Sequence, residues 1–216
     1  MDYAVARQNM VESQIRPNRV IDEAVIAAFA SLPRERFVPL PLRGIAYVDE
    51  EVPLGRGRGL MEPMVLARLL QAAAVGPADI VLDIGCGTGY SAAILARLAN
   101  MVVAVEEDMD LLVQATANVA ALSIDNIALL ESPLAQGCAK QAPYNVILID
   151  GAVDSVPPAI LQQLAEGGRL VTVLGRSSPR RATLVEKIGG TIASRPLFEA
   201  TATLLPGFVD EPGFVF

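Results

Sequence analysis

Apolar and polar positions along this chain fall into two regimes. From Ile80 onward, short apolar runs alternate with longer segments of helical period. Ile80 to Ile84, Met101 to Val105, Ile127 to Leu130, Val146 to Ile149 and Leu170 to Leu174 read as buried strands, apolar almost throughout. Thr88 to Ala99, Asp108 to Leu122 and Pro157 to Ala165 read as the helices between them. Such alternation predicts crossover connections and a mostly parallel sheet covered on both faces. Near the end, ATLVEKI and TIASRPLF flank Gly189-Gly190, which predicts a closing antiparallel hairpin.

The first third is patterned differently. Asp22 is placed to cap a helix running to about Ser31, with Val25, Ile26 and Phe29 on one face and Pro33 as its stop. Pro39 to Gly59 is rich in proline and glycine and reads as loop. A second helix opens at Glu62-Pro63 and ends before Gly76-Pro77. The expected division is an N-terminal helical extension with a site loop over 1–78, a ligand-binding core over 79–205, and a tail over 206–216, all within one structural domain. The tail's aromatic residues leave its docking partner open.

Composition narrows the chemistry. The 216 residues carry a net charge of −7, which argues against a general nucleic-acid binder. No apolar run has the length of a membrane span, and the N-terminus lacks the pattern of a signal peptide, so a cytoplasmic location is expected. Cys86 and Cys138 form no metal-binding spacing. The sequence contains no histidine, which removes Ser-His-Asp and Cys-His nucleophile systems and HExxH metal sites. Carboxylates, hydroxyls, amides or an organic cofactor must suffice.

The candidate site is VLDIGCGTGY, residues 81–90. Gly85, Gly87 and Gly89 follow a strand and precede a helix, where a ligand can approach backbone that carries no Cβ. The spacing is GxGxG; Tyr90 stands where a dinucleotide fingerprint has its last glycine, and no Walker lysine is present. Glu106 ends the next strand, where a carboxylate can accept both hydroxyls of a ribose. With Asp83 ahead of the glycines, the arrangement resembles the first motif of S-adenosylmethionine-dependent methyltransferases. The candidate cofactor residues are Asp83, Gly85, Cys86, Gly87, Gly89, Tyr90, Glu106, Glu107 and Ser132, with Cys86 and Tyr90 acting through backbone or packing.

Beyond this motif, the chain resembles the protein-L-isoaspartate O-methyltransferase family from about Asn9 to Leu205. MVESQIRPNRVIDEAVIAAFASLPRERFVP, VPLGRGRGLMEPMVLARLL, VLDIGCGTGYSAAILARL and APYNVILIDGAVDSVPPAILQQLAEGGRLVTVLG carry the likeness. The resemblance implies a Rossmann-like methyltransferase fold, S-adenosyl-L-methionine as cofactor and methyl transfer to the carboxylate of isoaspartyl residues in damaged protein. Such a transfer needs no imidazole base, because a carboxylate is already a nucleophile and the protein's task is alignment. The chain also departs from the family. Its loop has Gly59, Leu60, Met61, Glu62 and Pro63 where the family carries Thr-Ile-Ser-x-Pro, so both hydroxyls are gone. Ser132-Pro133-Leu134 replaces the usual Gly-Asp-Gly, and Asp150 stands where the family is usually uncharged.

Leu60, Met61 and Glu62 are the candidate acceptor-side residues, and Met61, Glu62 and Asp150 the candidate catalytic ones. Glu62 reads equally well as a charge in the first turn of a helix, and Asp150 as a turn former. Restoring the hydroxyls by Gly59→Thr with Met61→Ser is expected to raise the rate. Three functions stay open: repair methylation of isoaspartyl protein or peptide, methylation of another acceptor such as a small molecule, and a non-catalytic scaffold that keeps the fold.

Overall fold

The computed structural model describes residues 1–208. Asp2 caps α1 (Tyr3–Met10) by accepting from the amides of Ala4 and Val5. A π turn over Val11–Ile15 and a 3-10 turn over Arg16–Asn18 lead to α2 (Glu23–Ser31), capped by Asp22 in the same way. Val25, Ile26, Ala28 and Phe29 are its buried face.

The stretch read as loop is more ordered than its composition suggests. A 3-10 segment spans Leu40–Ile45, and β1 (Val52–Gly55) pairs antiparallel with β2 (Arg58–Leu60). The glycines that signalled a loop make the turn instead. Gly55, Arg56 and Gly57 all have positive φ, a conformation that costs glycine least. Then α3 (Pro63–Ala73) begins with proline, which loses no helical hydrogen bond at that position.

β3 (Ile80–Ile84), β4 (Met101–Glu106), β5 (Ile127–Glu131), β6 (Tyr144–Val153), β7 (Leu164–Leu174), β8 (Arg180–Ile188) and β9 (Thr191–Ala200) form one sheet. Its order is β5-β4-β3-β6-β7-β8-β9. The first five in this order run parallel, and β8 and β9 close the sheet antiparallel. α4 (Tyr90–Leu95), α5 (Met109–Ala121) and α6 (Pro158–Leu161) are the crossover helices. Apolar side chains on both faces form two cores, which is why the parallel strands have almost no polar positions.

Two predicted helices are shorter than expected. The segment Thr88 to Ala99 is α-helical only over Tyr90–Leu95: positive φ at Gly87 and Gly89 delays its start, and after Leu95 the chain tightens into turns in which the amides of Arg97 and Leu98 donate to the carbonyls of Ile94 and Leu95. The segment Pro157 to Ala165 is helical only over Pro158–Leu161, because Leu164 already pairs with Tyr144 in the sheet. Sheet pairing overrides the helical period there. Phe208 is buried, and its carbonyl accepts from the amide of Asp154. Residues 209–216, where most of the expected tail falls, lie outside the described residues.

Candidate functional site

The strand order reverses between β3 and β6: the chain moves outward from β3 to β4 and β5, then returns to place β6 beside β3. Ligands of open α/β sheets bind at the carboxyl ends of strands at such a reversal. Asp83, the glycine turn, Glu106 and Asp150 all lie at these ends.

The turn is fixed by main-chain bonds. The amides of Gly85 and Cys86 donate to the carbonyl of Val105 at 2.9 and 3.3 Å, and the amide of Gly89 donates to the carbonyl of Cys86 at 2.8 Å. Gly85, Gly87 and Gly89 have φ of 82°, 55° and 93°. A Cβ on Gly89 would lie 3.2 Å from that of Ala115, so this glycine also lets α5 pack closely. Cys86 is buried in the core, where burial pushes its thiol pKa up. The ring of Tyr90 also faces the core, 6.1 Å from Phe29 and 5.2 Å from Phe37. Both residues therefore serve the turn by packing.

Glu106 is fully buried and highly connected. Its Oε2 accepts from the amide of Gly87 at 2.8 Å. Its Oε1 accepts from the amides of Glu107 and Asp108 at 3.0 and 3.1 Å and from Nη1 of Arg58 at 2.6 Å. Nη2 of Arg58 donates to the carbonyl of Gly85 at 2.7 Å. Arg58 was not among the sequence candidates; an arginine in a glycine-rich turn ordinarily reads as solvated, yet this one is 5% exposed.

Beside this pair, Glu107 accepts from the amide of Leu134 at 3.3 Å and lines a cavity of about 260 Å³ with Glu131, Ser132 and Pro133. The hydroxyl of Ser132 donates to the carbonyl of Gly137 at 2.9 Å, and its amide donates to the carbonyl of Glu106.

Asp83 and Asp150 form a second buried group. Oδ2 of Asp83 accepts from the hydroxyl of Ser91 at 2.7 Å, while Oδ1 of each aspartate makes no hydrogen bond among the described residues. Burial, then the charge of Asp150, pushes the Asp83 pKa well above the usual carboxylate range. Burial likewise raises Asp150, from 3.8 to about 6. Two carboxyls in a dry site cannot both ionise without cost. Asp150 falls in the register shift of β6 against β7, between Leu148 and Ala152, and such irregularities re-aim side chains at sites.

The Leu60–Glu62 segment, expected from the sequence to face the acceptor, is held by a residue that sequence reasoning missed. Arg34 is fully buried, with Nε on the carbonyl of Ala46 at 2.7 Å and Nη2 on that of Met61 at 2.8 Å. Its guanidinium lies 4.9 Å from the Tyr90 ring centroid. Leu60 and Met61 are themselves buried in the core. Glu62 is half-buried, with its pKa raised to about 6, first by burial and then by Asp49 and Glu50.

The proposed hydroxyl restoration meets an obstacle here. The space a Cβ would need at Gly59 is filled by the Glu51 carboxylate. That carboxylate accepts from the amide of Thr203 at 3.0 Å and from its hydroxyl at 2.9 Å. Met61, at 2% exposed, would place a serine hydroxyl in the core. The double change therefore conflicts with packing before it reaches catalysis.

The residues fit an adenosyl cofactor: a positive-φ glycine turn without Cβ atoms, a carboxylate at the neighbouring strand end, and a cavity beside Ser132 for a base. Comparison with known proteins agrees. Residues 5–201 match the profile of the family described as protein-L-isoaspartate(D-aspartate) O-methyltransferase. A protein-L-isoaspartate O-methyltransferase of Koribacter versatilis is 38% identical over 190 residues, covering 88% of this chain and 86% of that one. One from Picosynechococcus is 42% identical over 178 residues, covering 82% and 80%. A solved protein-L-isoaspartate O-methyltransferase superposes with a TM-score of 0.81 at 26% identity, covering 93% of this chain and 66% of that one. A Plasmodium falciparum structure, described as this methyltransferase in complex with S-adenosyl-L-homocysteine, has the same fold, with a TM-score of 0.78 at 19% identity. With sequence match, fold and glycine-turn geometry in accord over most of its length, the chain belongs to the protein-L-isoaspartate(D-aspartate) O-methyltransferase family.

Proposed function

We propose that the chain transfers the methyl group of S-adenosyl-L-methionine to the carboxylate of isoaspartyl residues in damaged protein, as a repair reaction. The observation that carries this reading is the match of residues 5–201 to the isoaspartate methyltransferase family, and the Glu106 carboxylate at the strand reversal, 2.8 Å from the amide of Gly87, supports the ribose of its cofactor. When bound, the cofactor supplies an electrophilic methyl. Gly85 and Gly87 would admit its amino-acid and ribose parts, and Glu107 and Ser132 would flank its base.

The chain's remaining task is to present the acceptor oxygen in line and to exclude water. Leu60, Met61 and Glu62, fixed by Arg34, form the wall on that side. With Glu62 and Asp150 both titrating near 6, a carboxylate acceptor meets less repulsion in mildly acidic solution than at pH 8. The division at 78/79 is functional on this reading. The extension supplies Arg34, Arg58 and the acceptor wall, and the core supplies the glycine turn and Glu106. No helix among the described residues is long and apolar enough to cross a membrane. A cytoplasmic setting is in keeping with two unpaired cysteines.

The test has two stages. Calorimetric titration with S-adenosyl-L-homocysteine should give saturable micromolar binding. Labelled methyl from S-adenosyl-L-methionine should then appear on an isoaspartyl peptide as a base-labile ester, and not on the matching aspartyl peptide. Binding without transfer would move the reading to another acceptor. No binding at millimolar ligand would leave only a scaffold role.

A further inference from the structure

The carboxylate of Glu106 is oversubscribed. An ionised carboxylate offers about four acceptor positions. Oε1 already takes three donors, the amides of Glu107 and Asp108 and Nη1 of Arg58, and Oε2 takes the amide of Gly87, which leaves room for one newcomer on Oε2. A ribose diol brings two more O–H donors. The three amides belong to the turn and to the β4–α5 connection and cannot leave without unravelling them. Arg58 is the one donor carried by a separate element.

That element is the hairpin β1–β2, and its construction suits movement. Gly55, Arg56 and Gly57 form its tip, with φ of 88°, 54° and 69°. The hairpin, Glu51 and Thr203 line a cavity of about 270 Å³. The hairpin covers the glycine turn: a Cβ at Gly85 would lie 3.0 Å from Nη2 of Arg58, and one at Gly87 would lie 3.1 Å from Leu54. Two arginines pin it down. Arg58 binds Glu106 and the Gly85 carbonyl from inside, and Arg56 binds Asp108, at 3.2 Å, and Asp110 from outside. Nε of Arg58, although buried, has no partner among the described residues, so the inner anchor is incompletely satisfied.

We propose that Arg58 is the latch of a lid formed by hairpin β1–β2, and that its guanidinium and the ribose hydroxyls of the methyl donor exchange for one another on Glu106. This rests on the reading of Glu106 as the ribose acceptor. Cofactor entry then requires the inner anchor to release and the hairpin to shift by its glycine tip. The apparent affinity for cofactor is reduced by the fraction of chains that are latched. Removing the guanidinium removes that reduction. Three amides still serve Glu106 in its absence, although the buried carboxylate loses its counter-charge and the variant is expected to be less stable.

The experiment is calorimetric titration of the full chain with S-adenosyl-L-homocysteine, native and Arg58→Gln, with hydrogen exchange of residues 52–60 followed by mass spectrometry. The expected result is about tenfold tighter binding by the variant, together with faster exchange of the hairpin before ligand is added. A folded Arg58→Gln protein with unchanged or weaker binding overturns the latch and makes Arg58 a bystander or a direct cofactor ligand. Should that variant fail to fold, Arg56→Gln decides, since Arg56 is exposed: at least threefold tighter binding supports the lid, and no change overturns it. Titration of the Arg58→Gln protein with an S-adenosyl-L-homocysteine analogue that lacks the ribose hydroxyls isolates the ribose contact. A tenfold loss there upholds the ribose reading, and no loss sinks that reading and the latch with it.

Discussion

Replacing Arg34 with methionine removes the group that holds the Met61 backbone, part of the proposed acceptor wall, in place. Methionine fills much of the same volume with flexible apolar atoms but donates no hydrogen bond. Two buried carbonyls, of Ala46 and Met61, lose donors at 2.7 and 2.8 Å. The contact to the Leu60 carbonyl, at 3.5 Å, is too long to count for much. Each stranded carbonyl costs about 1–3 kcal/mol. Loss of the guanidinium from above the Tyr90 ring adds about 1 kcal/mol. Against this, a fully buried charge is no longer desolvated, and that same burial lowers the Arg34 pKa. A relief of about 2 kcal/mol leaves a net loss of about 3 kcal/mol. Urea unfolding followed by circular dichroism should show it as a lower midpoint with unchanged slope, and thermal unfolding as a drop of about 6–12 °C. The damage should also be sided. Affinity for S-adenosyl-L-homocysteine should change by less than about twofold while KM for the isoaspartyl peptide rises about tenfold. A midpoint loss worth under about 1 kcal/mol would refute the assignment of Arg34 as the clamp on the Leu60–Met61 backbone.

Two further outcomes follow from the geometry. Asp150 titrates near 6 in the folded chain against 3.8 ordinarily, so between about pH 4 and pH 6 the folded state holds a proton that the unfolded state has released. Stability from this group is therefore lost as pH rises through that window. Asp150→Asn should match the native chain below pH 4 and exceed it by about 1–3 kcal/mol at pH 8; a difference in urea midpoint that is constant with pH would contradict this. Gly59→Thr should destabilise by about 1–3 kcal/mol, because its Cβ meets the Glu51 carboxylate. Adding Glu51→Ala should recover at least half of that loss, and failure of the pair to couple in a double-mutant cycle would rule the clash out.

Strands were the most legible elements. β3 begins and ends where its apolar run does, and β4 and β5 each gain one residue, a glutamate at the carboxyl end. β3 and β4 are buried almost throughout and β5, at the edge of the sheet, is partly buried, so an apolar run marks all three. The glycine turn and Glu106 were legible for a similar reason, since their spacing is local. What escaped notice depends on distant partners. Arg58 meets Glu106 across 48 residues, and Arg34 meets Met61 across 27. Nothing in either arginine's neighbours along the chain marks it as buried, because burial of a guanidinium is decided by whether the fold brings acceptors to it. Similarly, the Glu51 carboxylate that occupies the place of a Gly59 side chain becomes visible only once β1 and β2 pair.

At the far margin of the sheet, the ten-residue strand β9 pairs with β8 on one side, and no strand among the described residues pairs with its other side. Such a border is a template on which a second polypeptide can crystallise into cross-strand order. Pro196 interrupts it with a position that has no N–H, Arg195 and Glu199 place charges along it, and a bulge at Leu197, opposite Ala182 and Thr183, bends the strand itself. The same short segment that completes the sheet thereby acts as a colloidal safeguard. Replacing Pro196 would be felt first in shelf life and recovery at high concentration, in a part of the molecule remote from the methyl-transfer chemistry.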